Sequence, residues 1–380
     1  MIFERSSQRK RWLFSPDELT EIRAKRHQTC LDALAKEESP RPEEVQPQQQ
    51  EQADDGSRLR KKGKKTRPPS LAEEAALLKY YAGKIQEMCR AFGFPNKVQA
   101  TAVLFLKRFF LTYSALQHDP KNILLTAIYL AGKVEEAYIG AEEFCKRLQQ
   151  DEEVVLNTEP LVLQGLRFDL ITYSPYTSLS GYFADLDVCQ REGGLLDPAL
   201  QEVGGESLAQ ARAAARAAVD ALMLTDAPLI FPPGQLALAA MRSGCNKVKV
   251  PLGSFLSRVA SRAQEEARAG CSQEDVVQEL RSQFGRIDSY GSEGSQQVKA
   301  EEVRKIDRRL KAFQAAAAAV SKASSASQQD SDGRKESSAA AQPQKALEDR
   351  GEQVDAHDSA DPPSAKRLKT QENGSSEMEL

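Results

Sequence analysis

The chain has 380 residues, of which 40% are hydrophobic and only 6% aromatic, so it is too polar to fold throughout its length. Its 52 Lys and Arg residues nearly balance its 55 Asp and Glu residues, which excludes a uniformly basic nucleic-acid-binding protein. Six scattered cysteines without a CxxC pair exclude a zinc ribbon and a disulfide framework. The start lacks the apolar core of a signal peptide and no apolar run is long enough to cross a bilayer, so we expect a soluble, intracellular protein.

The first predicted element is an amphipathic helix in an N-terminal segment, residues 1–36. Ser15 is typical of an N-cap, Pro16 suits the first helical position, and Glu18 completes a capping box. Trp12, the only tryptophan of the chain, stands just before this helix. An isolated helix of this length is marginal in water, so we expect the segment to dock on a larger body.

Five helices are predicted between residues 70 and 173, and no stretch alternates with period two, so the fold class is all-α. The third helix, whose residues 123–136 are apolar on every side before a lysine and two glutamates at the end, is predicted to be buried by its neighbours. Asp119 and Pro120 suit its N-cap and first position. Pro160 in the fifth helix, which is predicted to end near residue 170, indicates that the helix is kinked or begins at that residue.

The same pattern begins again at residue 174. At an offset of 113 residues Pro120 aligns with Pro233, and apolar positions on both sides of the prolines align as well. We therefore interpret residues 174–290 as a second five-helix domain, whose own central helix covers residues 235–245.

The rest of the chain is one helix and two polar segments. A helix is predicted over 298–321, where an apolar seam of heptad spacing indicates packing against another element. Residues 37–69 and 322–380 cannot bury a core, so we expect both to be disordered. Their basic runs at 58–67 and 362–369 are typical of nuclear import signals, which predicts nuclear localisation; the first run is equally a candidate solvated insertion.

Motifs of catalysis are absent from the sequence. There is no GxxxxGK[ST] loop, no HExxH and no GxSxG, and three scattered histidines are too few for a metal site. Glu135 and Glu136 are adjacent on a helix and point in different directions, so they form a poor acid–base pair. We expect a binding protein that is not an enzyme and needs no cofactor.

Two segments resemble a known family. Residues 130–136, LAGKVEE, resemble the LAxKxEE segment at the end of the third cyclin-box helix, and residues 158–170 are similar to the fifth-helix motif. Residues 6–15, residues 174–176 and the start of the last helix resemble the H-type branch of the cyclins. The resemblance implies two tandem five-helix cyclin boxes with extra N- and C-terminal helices.

The resemblance also implies a function. An H-type cyclin would bind and activate a cyclin-dependent kinase, the CDK-activating kinase, with a RING-finger assembly subunit and transcription factor IIH as further partners. The kinase-binding residues carried over are Leu130, Lys133, Val134, Glu159, Leu163 and Phe168. From the residues alone, Lys133 is simply a cation favoured at a helix C-terminus and Glu159 an ordinary acid near a helix N-terminus. The MRAIL patch for substrate docking has no counterpart, so that function is not carried over.

Two alternatives share the fold. Another transcriptional cyclin, of the C, K or T type, would have the box but neither the Trp12 segment nor the terminal helix. A DNA-binding adaptor similar to transcription factor IIB would need a zinc ribbon and basic repeats. The cysteines exclude the ribbon and the basic runs lie in linkers, so we expect no direct nucleic-acid binding and no membrane contact.

Overall fold

The computed structural model describes residues 3–38, 67–191, 198–266, 273–296 and 298–336. Most of the predicted linker, including nearly all of its basic run at 58–67, lies outside these residues. The tail from 337 onwards, with the basic run at 362–369, also lies outside them. The disorder and import signals expected there stay predictions.

Every regular element of the described residues is a helix, which confirms the all-α class. The helices are α1 (Ser7–Arg11), α2 (Pro16–Glu38), α3 (Leu71–Ala91), α4 (Asn96–Thr112), α5 (Pro120–Val134), α6 (Ala141–Leu148), α7 (Glu152–Gly165), α8 (Pro175–Arg191), α9 (Pro198–Gln201), α10 (Gly205–Met223), α11 (Ala227–Ile230), α12 (Pro233–Val248), α13 (Gly253–Glu266), α14 (Gln273–Ser295) and α15 (Ala300–Glu336). Helices α3 to α7 form the first five-helix domain. The second domain has five longer helices, α8, α10, α12, α13 and α14, and two single-turn helices between them. No helix of the described residues is both long enough and apolar enough to cross a membrane.

Helix α5 is the buried centre of the first domain, as predicted. Asp119 caps it by accepting a hydrogen bond from the Lys121 N–H at 2.9 Å, and Pro120 occupies the first helical position. Ala127 and Ala131 are fully buried, and the helix packs against α3, α4 and α7. The burial of each of its leucine side chains stabilises the fold by about 1.5–3 kcal/mol.

Helix α7 differs from the prediction at both ends. It begins at Glu152, where Asp151 caps the first turn, so the alternative that it begins at Pro160 is wrong. Pro160 lies inside the helix on its exposed side. The helix ends at Gly165 and not near residue 170. A Cβ at Gly165 would lie 2.7 Å from the Phe109 ring, so only glycine allows this close approach of α7 to α4.

The N-terminal segment docks on a larger body, as expected, and its contacts extend from the first domain to the second. Trp12 and Leu19 pack with Leu111 of the first domain and Leu229 of the second in a small apolar cluster. The Phe14 N–H donates to the Leu229 carbonyl oxygen at 2.8 Å, so main-chain bonding adds to this contact.

The C-terminal helix packs on the first domain through its predicted seam. Val303, Ile306 and Leu310 are buried, which confirms the heptad spacing as a packing signal. Arg309 forms an ion pair with Glu73, the capping-box residue of α3. Helix α15 continues past the predicted end, and residues 322–336, which we expected to be disordered, are helical. The extension contains no proline that would end the helix, and it continues from the alanine run at 315–319, which has a high helix propensity.

Candidate partner-binding surface

Helix α5 ends in a tight turn that brings Lys133 to the surface. The Ala137 N–H donates to the Gly132 carbonyl oxygen at 2.9 Å, and the Glu136 N–H donates to that of Lys133 at 3.4 Å. With Glu136 at φ 58°, this pattern is a Schellman motif. A Cβ at Gly132 would lie 3.1 Å from the Ala137 carbonyl oxygen, so glycine lets the chain fold back closely.

Lys133 and Glu159, the two charged residues among the six predicted to bind the kinase, lie together. The Lys133 Nζ is 2.5 Å from the Glu159 Oε1 and 5.0 Å from the Tyr129 ring centroid. The Lys133 side chain is 39% exposed and that of Glu159 is 14% exposed. The Lys133 side of the pair is open to solvent, which screens the interaction, so Lys133 can exchange this partner for another at the surface.

The four predicted apolar contact residues have different environments. Val134 and Leu163 are half-buried and pack against the core, so each presents part of its side chain. Phe168 is 66% exposed and offers a large apolar surface. Leu130 is only 3% exposed, so it supports the helix from inside and offers no contact area.

Other exposed apolar residues lie in the same part of the chain. Tyr138, Leu156 and Ile171 are exposed, at 75%, 43% and 55%, and together with Phe168 they fall between α5 and the connector to the second domain. Exposed apolar side chains of this size are typical of an interaction surface. These three residues were not predicted from the sequence. The signal that could have identified them is an apolar residue at a position outside the buried face of its helix, or in a loop.

Glu135 has a local role beside this surface. Its Oε1 accepts a hydrogen bond from the Thr101 hydroxyl at 2.6 Å, and the Lys97 ammonium lies 3.8 Å from its Oε2. The Thr101 hydroxyl also lies 2.6 Å from that of Thr172 in the connector between the domains. Glu135 therefore holds the end of α5 against α4 and the connector, whereas Glu136 is exposed.

The six predicted contact residues lie away from two cavities that the described residues form. Cavities of about 630 Å³ and 410 Å³ are found elsewhere, and none of the six predicted contact residues lines either of them. In the described part of the chain, no group of three or more His, Cys, Asp and Glu side chains is placed to hold a metal ion. A surface with exposed apolar residues and a few charges is typical of a protein–protein interface.

Family models match both five-helix domains. Residues 70–171 match the model described as "Cyclin, N-terminal domain", and residues 174–291 match the model described as "Cyclin C-terminal domain". The chain is 40% identical over 249 residues to Cyclin-H1-1 of Arabidopsis thaliana, an alignment that covers 63% of this chain and 69% of the relative.

Two solved structures share the fold. A chain of the CAK complex from Chaetomium thermophilum bound to ATP-γ-S has a TM-score of 0.61 at 22% identity, with 81% of this chain and 88% of that chain covered. A chain of the yeast TFIIK (Kin28/Ccl1/Tfb3) complex has a TM-score of 0.54 at 23% identity, with coverages of 75% and 100%. At these identities the likeness is one of fold.

Proposed function

Because this chain belongs to the cyclin family, we propose that it is a non-catalytic regulatory subunit that binds and activates a cyclin-dependent kinase. The observation that carries the proposal is the Lys133–Glu159 pair, which joins the C-terminal end of α5 to the middle of α7, with exposed apolar side chains in the same part of the chain. The apolar groups supply contact area and the two charges fix orientation.

Activation follows from preferential binding of one kinase conformation. A protein kinase is active only when a lysine and a glutamate on its mobile helix are paired. A subunit that binds the arrangement with this helix held inward shifts the population toward the active state. We assign the apolar contact to Val134, Leu163 and Phe168, with Leu130 supporting them from the core. Lys133 and Glu159 would each exchange their mutual bond for hydrogen bonds to the kinase main chain.

The kinase we propose is the CDK-activating kinase associated with transcription factor IIH. The support is the likeness to a relative named Cyclin-H1-1 and to chains of complexes titled CAK and TFIIK (Kin28/Ccl1/Tfb3). We propose by the same reasoning a RING-finger assembly subunit as a further partner and a nuclear localisation. The Trp12 segment and α15 favour this branch over the C, K and T types.

The test removes the orienting pair. The double variant Lys133→Ala/Glu159→Ala should weaken kinase association about tenfold or more and reduce activation, because both groups are expected to bond the kinase backbone. Circular dichroism should show unchanged helicity, since both residues lie in helices and alanine is a strong helix former. The readouts are co-purification, the dissociation constant and phosphorylation of a kinase substrate.

A matched control is available on α6. Arg147 and Glu143 form another exposed ion pair, and Arg147→Ala/Glu143→Ala should leave kinase binding unchanged. Wild-type association and activity of the Lys133/Glu159 variant would count against the proposal. If pull-down from cells recovered no kinase but showed salt-sensitive retention on DNA, the DNA-binding adaptor would be the better assignment.

A further inference from the structure

Phe168 stands out from the rest of the surface because its backbone is strained. Arg167 and Phe168 follow the end of α7 with φ values of 53° and 57°. The Arg167 N–H donates to the Gln164 carbonyl oxygen at 2.9 Å and the Phe168 N–H to that of Leu163 at 3.0 Å, which is a Schellman motif. That motif needs one left-handed residue, here Arg167. The motif does not require Phe168 to be left-handed as well, so another interaction must hold Phe168 in this strained conformation.

Left-handed backbone in a bulky residue costs about 1–3 kcal/mol and persists only where the surroundings impose it. The Phe168 side chain is mostly exposed and makes no aromatic contact within the described residues. Its own side chain therefore cannot be what holds the conformation. The constraint must come from the neighbouring residues in the chain.

Asp169 is one of these neighbours, and it is fixed by three donors. Its Oδ2 accepts the Trp12 Nε1–H at 2.9 Å, and its Oδ1 accepts a hydrogen bond from the Arg11 guanidinium Nη2 at 2.5 Å. The Arg108 guanidinium donates to its carbonyl oxygen at 3.1 Å. Asp169 is almost fully buried, so these hydrogen bonds hold both its carboxylate and its backbone.

Arg167, the neighbour on the other side, is held by the same tryptophan. The Arg167 guanidinium lies 5.7 Å from the Trp12 ring centroid, and the Arg108 guanidinium lies 5.1 Å from it. Arg108 is fully buried, and burial lowers its pKa to about 10. Its Nε and Nη2 have no hydrogen-bond acceptor, so the indole face is an important compensating contact for this cation.

We propose that Trp12 is a positioning residue for partner binding, which acts through Asp169 and Arg167 to hold Phe168 in its exposed, left-handed conformation. The N-terminal segment thereby shapes the contact surface without contributing Trp12 to it, since Trp12 is buried. This inference rests on the proposed kinase-binding function. It assigns a task to the segment before α2 that differs from stabilising the fold.

A double-mutant cycle separates positioning from simple stabilisation. Trp12→Phe keeps an aromatic ring in place but removes the Nε1–H donor to Asp169. In the full-length chain, binding to the co-purifying kinase should weaken about 30-fold for Phe168→Ala and about fivefold for Trp12→Phe. The double variant should bind no more weakly than Phe168→Ala alone, because Trp12 acts only through Phe168.

Leu19→Val is the matched control. Leu19 is buried in the same apolar cluster as Trp12, but it has no hydrogen bond or ring contact with Asp169 or Arg167. The factor by which Leu19→Val weakens binding, whatever its size, should multiply with the factor for Phe168→Ala when the two substitutions are combined. Thermal melting of every variant should show that the folded fraction is the same at the temperature of the binding assay.

The outcomes separate the inference from the proposed function. If the double variant of Trp12 and Phe168 binds about 150-fold more weakly than wild type, the two effects are independent and the positioning role is overturned. If Phe168→Ala binds as wild type, both the contact role of Phe168 and the positioning role of Trp12 are overturned. The Lys133/Glu159 variant then still reports separately on kinase binding.

Discussion

At the residue scale, glycines at helix contacts decide how closely the elements of the first domain approach. A Cβ added at Gly165 would lie 2.7 Å from the Phe109 ring, whereas a Cβ added at Gly83 in α3 would meet open space. Both residues are helical, so an added methyl group has the same intrinsic effect on helix propensity at each. Because their surroundings differ, the two substitutions should change the free energy of unfolding in opposite directions.

We therefore expect Gly83→Ala to raise the free energy of unfolding by about 0.5–1 kcal/mol, because alanine restricts the unfolded chain and stabilises the helix. Gly165→Ala should lower it by about 1–3 kcal/mol, because the Phe109 ring must move. Urea denaturation of the two variants provides the comparison. Stabilisation by both would mean that α7 does not approach α4 as closely as the structure has it.

At the element scale, the C-terminal helix is attached where it meets the capping box of α3. The Arg309 guanidinium, followed by the Ser70 backbone N–H, lowers the pKa of Glu73 to about 2. A carboxyl group whose folded pKa lies below its unfolded value stabilises the fold fully above the unfolded pKa. This stabilisation is lost as the pH falls from about 4.5 toward 2.

Arg309→Ala should weaken the packing of α15 and make that packing less sensitive to a fall in pH. In the wild-type chain, hydrogen exchange of the α15 amides should accelerate as the pH falls through that window, after correction for the intrinsic exchange rate. In Arg309→Ala, the α15 amides should already exchange faster than those of the wild type at neutral pH, and their exchange should change less as the pH falls. Arg308→Ala is the control, since Arg308 is exposed and, among the described residues, bonds only within its own helix. Identical acid profiles for the wild type and Arg309→Ala would contradict the prediction.

At the scale of the whole molecule, the N-terminal segment connects the two domains. The Arg23 guanidinium donates two hydrogen bonds of 2.6 Å to the Asp226 carboxylate in the second domain. Farther along α2, Arg26 pairs at 2.7 Å with Glu74, a buried residue of the first domain. One helix thus bonds both domains, so their relative position and the surface between them depend on it.

Removal of residues 1–36 should lower the melting temperature and reduce kinase activation, because it exposes Leu111 and Leu229 and takes away Trp12. A second variant, Arg23→Ala, should affect the interdomain contact alone and weaken activation less. The measurements are thermal unfolding and substrate phosphorylation by the reconstituted complex. An unaffected complex after the deletion would show that the segment is dispensable.

The central helix, the caps and the repeat could be predicted from the sequence because each has a local cause. Asp119 and Ser70 are N-caps by their own side-chain chemistry, and the apolar character of α5 by itself requires burial. The end of α7 could not be predicted in this way. The helix ends in a Schellman motif whose left-handed residue is Arg167 instead of the usual glycine, and Pro160 gave a misleading local signal.

The sequence by itself therefore determined the helical class, the two consecutive domains and the residues that resemble a cyclin signature. Only the tertiary structure decided how those residues are presented. It buried Leu130, exposed Phe168 and brought Lys133 within hydrogen-bonding distance of Glu159. The physical reason is that helix periodicity and capping act over a few residues. Exposure and pairing depend instead on which distant segments pack together, here Trp12 beside Asp169.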